Sequence, residues 1–154
     1  MAKTQLLTIG WREWVALPSL AIGKIKAKID TGARSSSVHA FDIQIVEFQG
    51  QQRVRFKVHP IQRDTINTVS AEADLLEYRP IRNSGGHTEL RPVILTDIEL
   101  MGKRWLIELT LTNRDAMGFR MLLGRQAIKG RFLIDCYQSF LGDSKSYQKS
   151  HFQD

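Results

Sequence analysis

The stretch Ile22-Gly23-Lys24-Ile25-Lys26-Ala27-Lys28-Ile29-Asp30-Thr31-Gly32-Ala33 decides how the rest of the chain is read. Ile25, Ala27 and Ile29 recur at every second residue, with Lys24, Lys26, Lys28 and Asp30 between and after them. This is the alternation of a strand buried on one face. The strand runs straight into Asp30-Thr31-Gly32-Ala33, so a carboxylate is carried at the end of a rigid element. Gly32 permits a sharp turn and a close backbone approach. The Thr31 hydroxyl is suited to locking the loop through a hydrogen bond, and Ala33 leaves space. Asp-Thr-Gly turns are also common in β proteins without any chemistry, so the meaning of this one depends on its surroundings.

Period two continues on both sides. In Val38–Phe48, Phe41, Ile43 and Ile45 stand against Asp42 and Gln44. In Arg53–His59, Val54, Phe56 and Val58 alternate with Arg53, Arg55 and Lys57, and Gln49-Gly50-Gln51-Gln52 reads as the turn joining the two runs. Arg91–Met101 and Arg104–Thr112 form a second pair around Met101-Gly102-Lys103, with Trp105, Ile107, Leu109 and Leu111 on one face. Arg120–Gly124 and Arg131–Cys136 are short apolar runs, and Gln126–Lys129 between them reads as a brief helix bounded by Gly124 and Gly130. Asp64–Tyr78 has the length of a helix, but Ile66-Asn67-Thr68-Val69 favours a strand. These short strands with glycine turns predict an all-β barrel or sandwich. Residues 1–141 form one domain in this reading, and 142–154 a loose polar tail.

The chain has 154 residues, 42% hydrophobic and 25% charged, an ordinary globular composition that excludes whole-chain disorder. No apolar run reaches the ~18–20 residues of a membrane span. The first residues show no apolar signal region, and a lone cysteine, Cys136, suits a reducing compartment, so a cytoplasmic setting is expected. Twenty-two Lys and Arg against sixteen Asp and Glu give a net charge of +6, which admits nucleic acid, an anionic surface or an acidic substrate as partner.

A second motif gives Asp30 its context. Met121-Leu122-Leu123-Gly124-Arg125 is an apolar-apolar-Gly segment placed before the short helix. The pairing of Asp30-Thr31-Gly32-Ala33 with this later segment resembles the retropepsin family, the single-domain aspartic proteases. Across most of its length the chain looks like a bacterial subfamily of these proteins labelled ATP-dependent zinc proteases, through Ile9-Gly10-Trp11-Arg12-Glu13, Lys28–Ser37, Arg82–Pro92 and Met121–Arg125. Members of that subfamily are associated with ATP-grasp ligases that add glutamate to proteins. The resemblance implies a closed acid-protease β-barrel with one short helix and a flap hairpin. Arg82–Glu89 is the flap candidate, with Ser84, Gly85 and Gly86 over the cleft and Gly85-Gly86 as its mobile tip.

The implied activity is aspartic-type peptide hydrolysis, in which two adjacent carboxylates share a proton, one polarising the scissile carbonyl and the other activating water. Such a pair titrates as a unit. Asp97 and Asp135 have no glycine behind them, so only Asp30 fits the motif. A dyad then needs Asp30 from two chains across a two-fold axis, which predicts a homodimer. Asp30, Thr31, Gly32 and Ala33 are the catalytic-loop candidates.

One departure from the family is informative. Retroviral members commonly carry an acidic residue after the Ala, paired with the later Arg; here Arg34 stands at that position and Arg125 at the other. Two readings stand side by side. In one, Arg34 and Arg125 bind an acidic, glutamate-rich peptide, since guanidinium suits carboxylate. In the other, they pair with structural carboxylates such as Asp135 or Glu89.

No cofactor is expected from the chain itself. His39, His59, His87 and His151 are widely spaced and show no metal-ligand pattern, and there is no phosphate-binding Gly-Lys-Ser/Thr loop. His39 reads as a satisfied half-buried histidine, and Cys136, after an apolar run, as buried and inert. Ser35-Ser36-Ser37 lacks the strained elbow of a serine nucleophile. The rows Lys24, Lys26, Lys28 and Arg53, Arg55, Lys57 lack interleaved aromatics on their own faces and read as solvated strand faces rather than a nucleic-acid groove. The alternative to a peptidase is an inactive module of the same fold that binds or regulates beside a glutamate ligase.

Overall fold

A computed structural model describes residues 5–61, 66–82, 85–113 and 118–143. Among the described residues eleven strands follow one another: β1 (Leu7–Gly10), β2 (Arg12–Leu17), β3 (Ile22–Asp30), β4 (Ser36–His39), β5 (Phe41–Phe48), β6 (Gln51–Val58), β7 (Val69–Arg82), β8 (Thr88–Leu100), β9 (Lys103–Thr112), β10 (Met121–Gly124) and β11 (Phe132–Asp135). The single α-helix among the described residues is α1 (Arg125–Ile128). Nine strands form one sheet in the order β2-β3-β10-β4-β9-β8-β7-β6-β5, and β2 also meets β8 at Ala16↔Glu99. The sheet therefore bends round until β8 reaches β2, and β7, β6 and β5 run on beyond that meeting. The all-β expectation holds, with its one short helix and a long hairpin made by β7 and β8.

Alternation explains the elements. In β3, Ile25, Ala27 and Ile29 are buried, and in β6 the same is true of Val54, Phe56 and Val58. Together with Val38, Leu109, Leu111, Met121 and Leu123 they belong to one continuous core. The β5–β6 and β8–β9 connections are two-residue turns with both central residues in the left-handed region: Gln49 and Gly50 (φ 52° and 79°), and Met101 and Gly102 (φ 56° and 75°). Such turns match the twist of the strands they join.

Several expectations are corrected. The run Val38–Phe48 is two strands, because the chain leaves β4 at Ala40, whose N–H donates to the Thr112 carbonyl. Cys136 is exposed, since β11 pairs only with β1 in a separate two-stranded parallel sheet and the core ends at its early residues. Gly142 and Asp143 form a 3-10 turn with Leu141, while the remainder of the predicted tail, 144–154, lies outside the described residues.

Glu13 is fully buried among the apolar residues of β2. Its carboxylate accepts the N–H groups of Gly10 (2.7 Å), Leu141 (2.8 Å) and Gly142 (2.9 Å). The acid thereby ties the segment after β11 to the start of the chain. Each N–H bond to a charged acceptor contributes more than a neutral one. Glu13→Gln keeps the shape but replaces one of the two oxygens with an amide NH₂, so the three N–H donors share a single oxygen and at least one faces another donor. It is expected to lower stability by about 1.5–3 kcal/mol, read as a lower urea midpoint with faster amide exchange at Leu141 and Gly142. An unchanged midpoint would show that the carboxylate's charge is immaterial.

Candidate active site

Strand β10 lies between β3 and β4. It runs parallel to β3 in the register Met121↔Ala27 through Gly124↔Asp30, and antiparallel to β4 at Met121↔Val38 and Leu122↔Ser37. The two sequence motifs thus meet side by side, with Gly124 opposite Asp30. Residues 31–35 loop around the end of β10 and are fixed to it by backbone groups. The N–H of Arg125 donates to the Ala33 carbonyl (2.7 Å), and that of Gln126 to the Arg34 carbonyl (3.1 Å). The N–H of Gly124 donates to the buried Ser36 hydroxyl (3.0 Å). The approach is so close that a Cβ on Gly124 would stand 2.5 Å from the Ser35 carbonyl oxygen.

Asp30 is half-buried at the end of β3. Its Oδ1 accepts the N–H of Gly32 at 3.1 Å, and its carbonyl accepts that of Ala33 at 3.2 Å. The loop is therefore a tight turn that holds one carboxylate oxygen against its own backbone. Gly32 is not in the left-handed region; a Cβ there would come within 3.3 Å of Asp30 Oδ1. Thr31 takes part through its carbonyl, which accepts Nη1 of Arg125 at 2.8 Å.

That last bond assigns Arg125 a loop-supporting contact, whereas Arg34, exposed, makes no ion pair among the described residues. The carboxylates considered as partners are otherwise engaged: Glu89 with Arg91 (2.7 Å), and Asp135 through Oδ1 with the N–H of Tyr137 (3.0 Å).

The β7–β8 hairpin rises beside this loop, paired to its end at Arg82↔Thr88. Gly85 and Gly86 are exposed at its tip, Gly86 with φ 84°; Asn83 and Ser84 lie outside the described residues. A cavity of about 390 Å³ joins hairpin and loop, with Ile81 and Arg91 from one, Ala33 and Arg34 from the other, and Ser37 of β4 and Leu122 of β10 also in its lining. Arg91 is buried and donates to the Thr112 hydroxyl at 2.5 Å. Arg91 was not singled out by motif, and Ser36 was read only as part of Ser35-Ser36-Ser37. For Ser36 the signal was a polar residue at an inward position of an alternating strand, whereas Arg91 opens a run of four consecutive buried residues where no alternation marks it.

The other candidates are placed as follows. His39 is half-buried, but its Nδ1 has no partner among the described residues, contrary to the satisfied histidine expected. Among the described residues no three His, Cys, Asp or Glu side chains gather as a ligand set. Lys24 and Lys26 lie over the Trp14 ring (4.6 and 5.9 Å), and Lys26 also over Phe119 (5.4 Å), so aromatics from neighbouring elements do accompany this row. Arg53 and Arg55 pair with Glu72, and Lys57 with Asp42. No helix among the described residues is long and apolar enough to cross a membrane.

An acid loop at the end of one strand, threaded by an apolar-apolar-Gly strand and overlooked by a β-hairpin, is the arrangement of a retropepsin-like protein. The chain belongs to the RimB-like family, described as retropepsin-like aspartic endopeptidase RimB, whose model matches residues 8–145. Its relatives include a probable alpha-L-glutamate ligase of Desulfotalea psychrophila, 48% identical over 88% of this chain, and one of Parasynechococcus marenigrum, 46% identical over 94%. The chain spans less than a third of these relatives, 29% and 31% of their lengths. A crystal structure of a Legionella pneumophila protein of unknown function (DUF785) superimposes with a TM-score of 0.76 at 30% identity, covering 90% of this chain and 100% of that one.

Proposed function

We propose that the chain is one half of an aspartic peptidase, completed when two copies bring their Asp30 carboxylates together about a two-fold axis. The observation that supports it is the fixed presentation of Asp30 opposite Gly124, with its Oδ1 held by the Gly32 N–H. In the reaction, one protonated carboxyl donates to the scissile carbonyl oxygen. The other, ionised, takes a proton from water as the water oxygen bonds to the carbonyl carbon. The resulting diol collapses as a carboxyl proton passes to the nitrogen and the C–N bond breaks. Products are a carboxylic acid and an amine, and the dyad returns to its starting state.

The substrate class proposed is acidic, glutamate-rich protein segments. Support comes from Arg34 beside the loop, which makes no ion pair among the described residues, and from relatives named probable alpha-L-glutamate ligase. A glutamate ligase, of the ATP-grasp kind, is the proposed partner. The same names favour a second reading, an inactive module that binds or regulates such a ligase.

Sedimentation decides between them early: a dimer is expected at micromolar concentration, and a strict monomer there rules out the dyad. Hydrolysis at low salt is expected to be faster for a polyglutamate peptide than for a neutral one of equal length. Equal rates would remove the acidic preference while leaving the peptidase intact.

A further inference from the structure

The outward face of β2 and β3 carries a row of cations set among aromatic rings. Arg12 stands directly opposite Lys28 across the two strands, and Trp14 opposite Lys26. Alternate residues of a strand are ~6.8 Å apart, so Lys24, Lys26 and Lys28 repeat at a step of the same order as the phosphates of an extended nucleic-acid strand. Arg12 lies over Trp11 (4.7 Å) and Phe140 (4.8 Å), and donates to the Ser139 hydroxyl (3.2 Å). Lys24 lies over Trp14, and Lys26 over Trp14 and Phe119. Phe140 stacks on Trp14 at 5.7 Å.

This row differs from the basic row of β6, where Arg53, Arg55 and Lys57 each reach a carboxylate. Arg12 and Lys26 make no ion pair among the described residues, and Lys24 reaches Asp143 at 3.8 Å with 62% of its side chain exposed. Cation–π contacts are weak where water reaches them. A lysine here exchanges ring for phosphate at little cost and uncovers the ring as it does so.

A cavity of about 390 Å³ beside Trp14 supplies an independent observation. Gly23, Lys24 and Met101 share its lining, and nothing lies within 4 Å of where a Cβ on Gly23 would stand. Glu99 and Asp143 line it too. Carboxylates repel phosphate, but they accept hydrogen bonds from the exocyclic amines of bases. Cations in a row outside, with a ring and acceptors inside, match a nucleotide better than a plain polyanion. Trp11, Trp14, Phe119 and Phe140 are all half-buried, which keeps them from inserting into a bilayer.

We propose that the β2–β3 face binds single-stranded nucleic acid, with Arg12, Lys24, Lys26 and Lys28 on phosphates and a base stacked on Trp14 in the adjoining cavity. Unpaired bases offer their faces to aromatic side chains, as those stacked inside a duplex do not. The proposal is independent of the peptidase reading.

The test titrates the full chain into a fluorescein-labelled oligodeoxycytidylate of about 12 nucleotides, within the site sizes of single-strand binders, over a salt series. Four phosphate contacts give an expected slope of log K against log salt of about −3. Lys24→Gln combined with Lys26→Gln should reduce the slope to about −1.5 and weaken binding roughly tenfold at low salt. Arg53→Gln combined with Arg55→Gln makes the same charge change on β6 and should leave the affinity within about twofold. An abasic strand of equal length and charge should bind roughly tenfold more weakly. Unfolding midpoints confirm that each variant is folded. Equal losses in the two double variants overturn the placement on this face. Equal affinity for the abasic strand overturns the nucleotide assignment in favour of any polyanion. Capture by phosphatidylserine vesicles with no oligonucleotide binding overturns it in favour of a membrane surface.

Discussion

On the proposed peptidase reading, Asp30→Asn protein is expected to sediment as the wild type does and to hydrolyse peptides more slowly by about 10²–10⁴-fold or more. The substitution is nearly isosteric. Asparagine still presents an oxygen to the Gly32 N–H that Asp30 Oδ1 now accepts at 3.1 Å, so the turn keeps its shape. What is lost is the proton traffic, because an amide neither takes a proton from water nor gives one to a leaving amine. In a homodimer both halves of the dyad change at once, so no carboxylate remains to act alone. Mixed dimers with one Asn are expected to be equally inactive, since one carboxylate cannot be acid and base together in the attack step. Wild-type turnover by Asp30→Asn dimers would sink the dyad.

Gly124→Ala is expected to reduce stability by about 3 kcal/mol, near the upper end of what overpacking usually costs. A methyl on Gly124 would sit 2.5 Å from the Ser35 carbonyl oxygen, 2.6 Å from its carbon and 3.0 Å from the Ala33 oxygen. All are backbone atoms, and none can swing aside as the end of a side chain would. Relief requires the 31–35 loop to move off β10, which breaks the bonds from Gly124, Arg125 and Gln126 to Ser36, Ala33 and Arg34. The variant should therefore lose its urea midpoint and the position of Asp30 together. Gly23→Ala is the control: nothing lies within 4 Å of the added methyl, and its midpoint should not move. Equal midpoints for the two variants would mean that the loop yields freely.

Much of this was legible in the sequence where one force dominates. The alternation of Ile25, Ala27 and Ile29 gave β3 its bounds because one face of that strand is core and the other is not. Glycine turns placed the β5–β6 and β8–β9 connections for the same local reason. Other features are set by partners distant in the chain. Val38–Phe48 is apolar enough for one strand, and its division at Ala40 comes from the pairing of β4 with β9. Cys136 follows an apolar run, yet Leu133 on that run is itself exposed, because a two-stranded sheet buries little. Glu13 shares the inward face of β2 with Val15 and Leu17; the period placed it there, but only the fold shows the three N–H groups that make the position tenable. Arg125 was legible as an arginine at the cleft, and its bond to the Thr31 carbonyl is invisible without the crossing of β10.

That crossing has a consequence for the order in which the protein is made. The loop after Asp30 leaves the ribosome before the strand that fixes it, which comes from the other side of a gap of 94 residues, the separation of Thr31 from Arg125. Closing so long a loop is slow compared with forming the hairpins synthesised in between. A nascent or truncated chain therefore displays the acid motif without its geometry. The geometry of the site is therefore withheld until residues 121–126 have been synthesised and placed between β3 and β4.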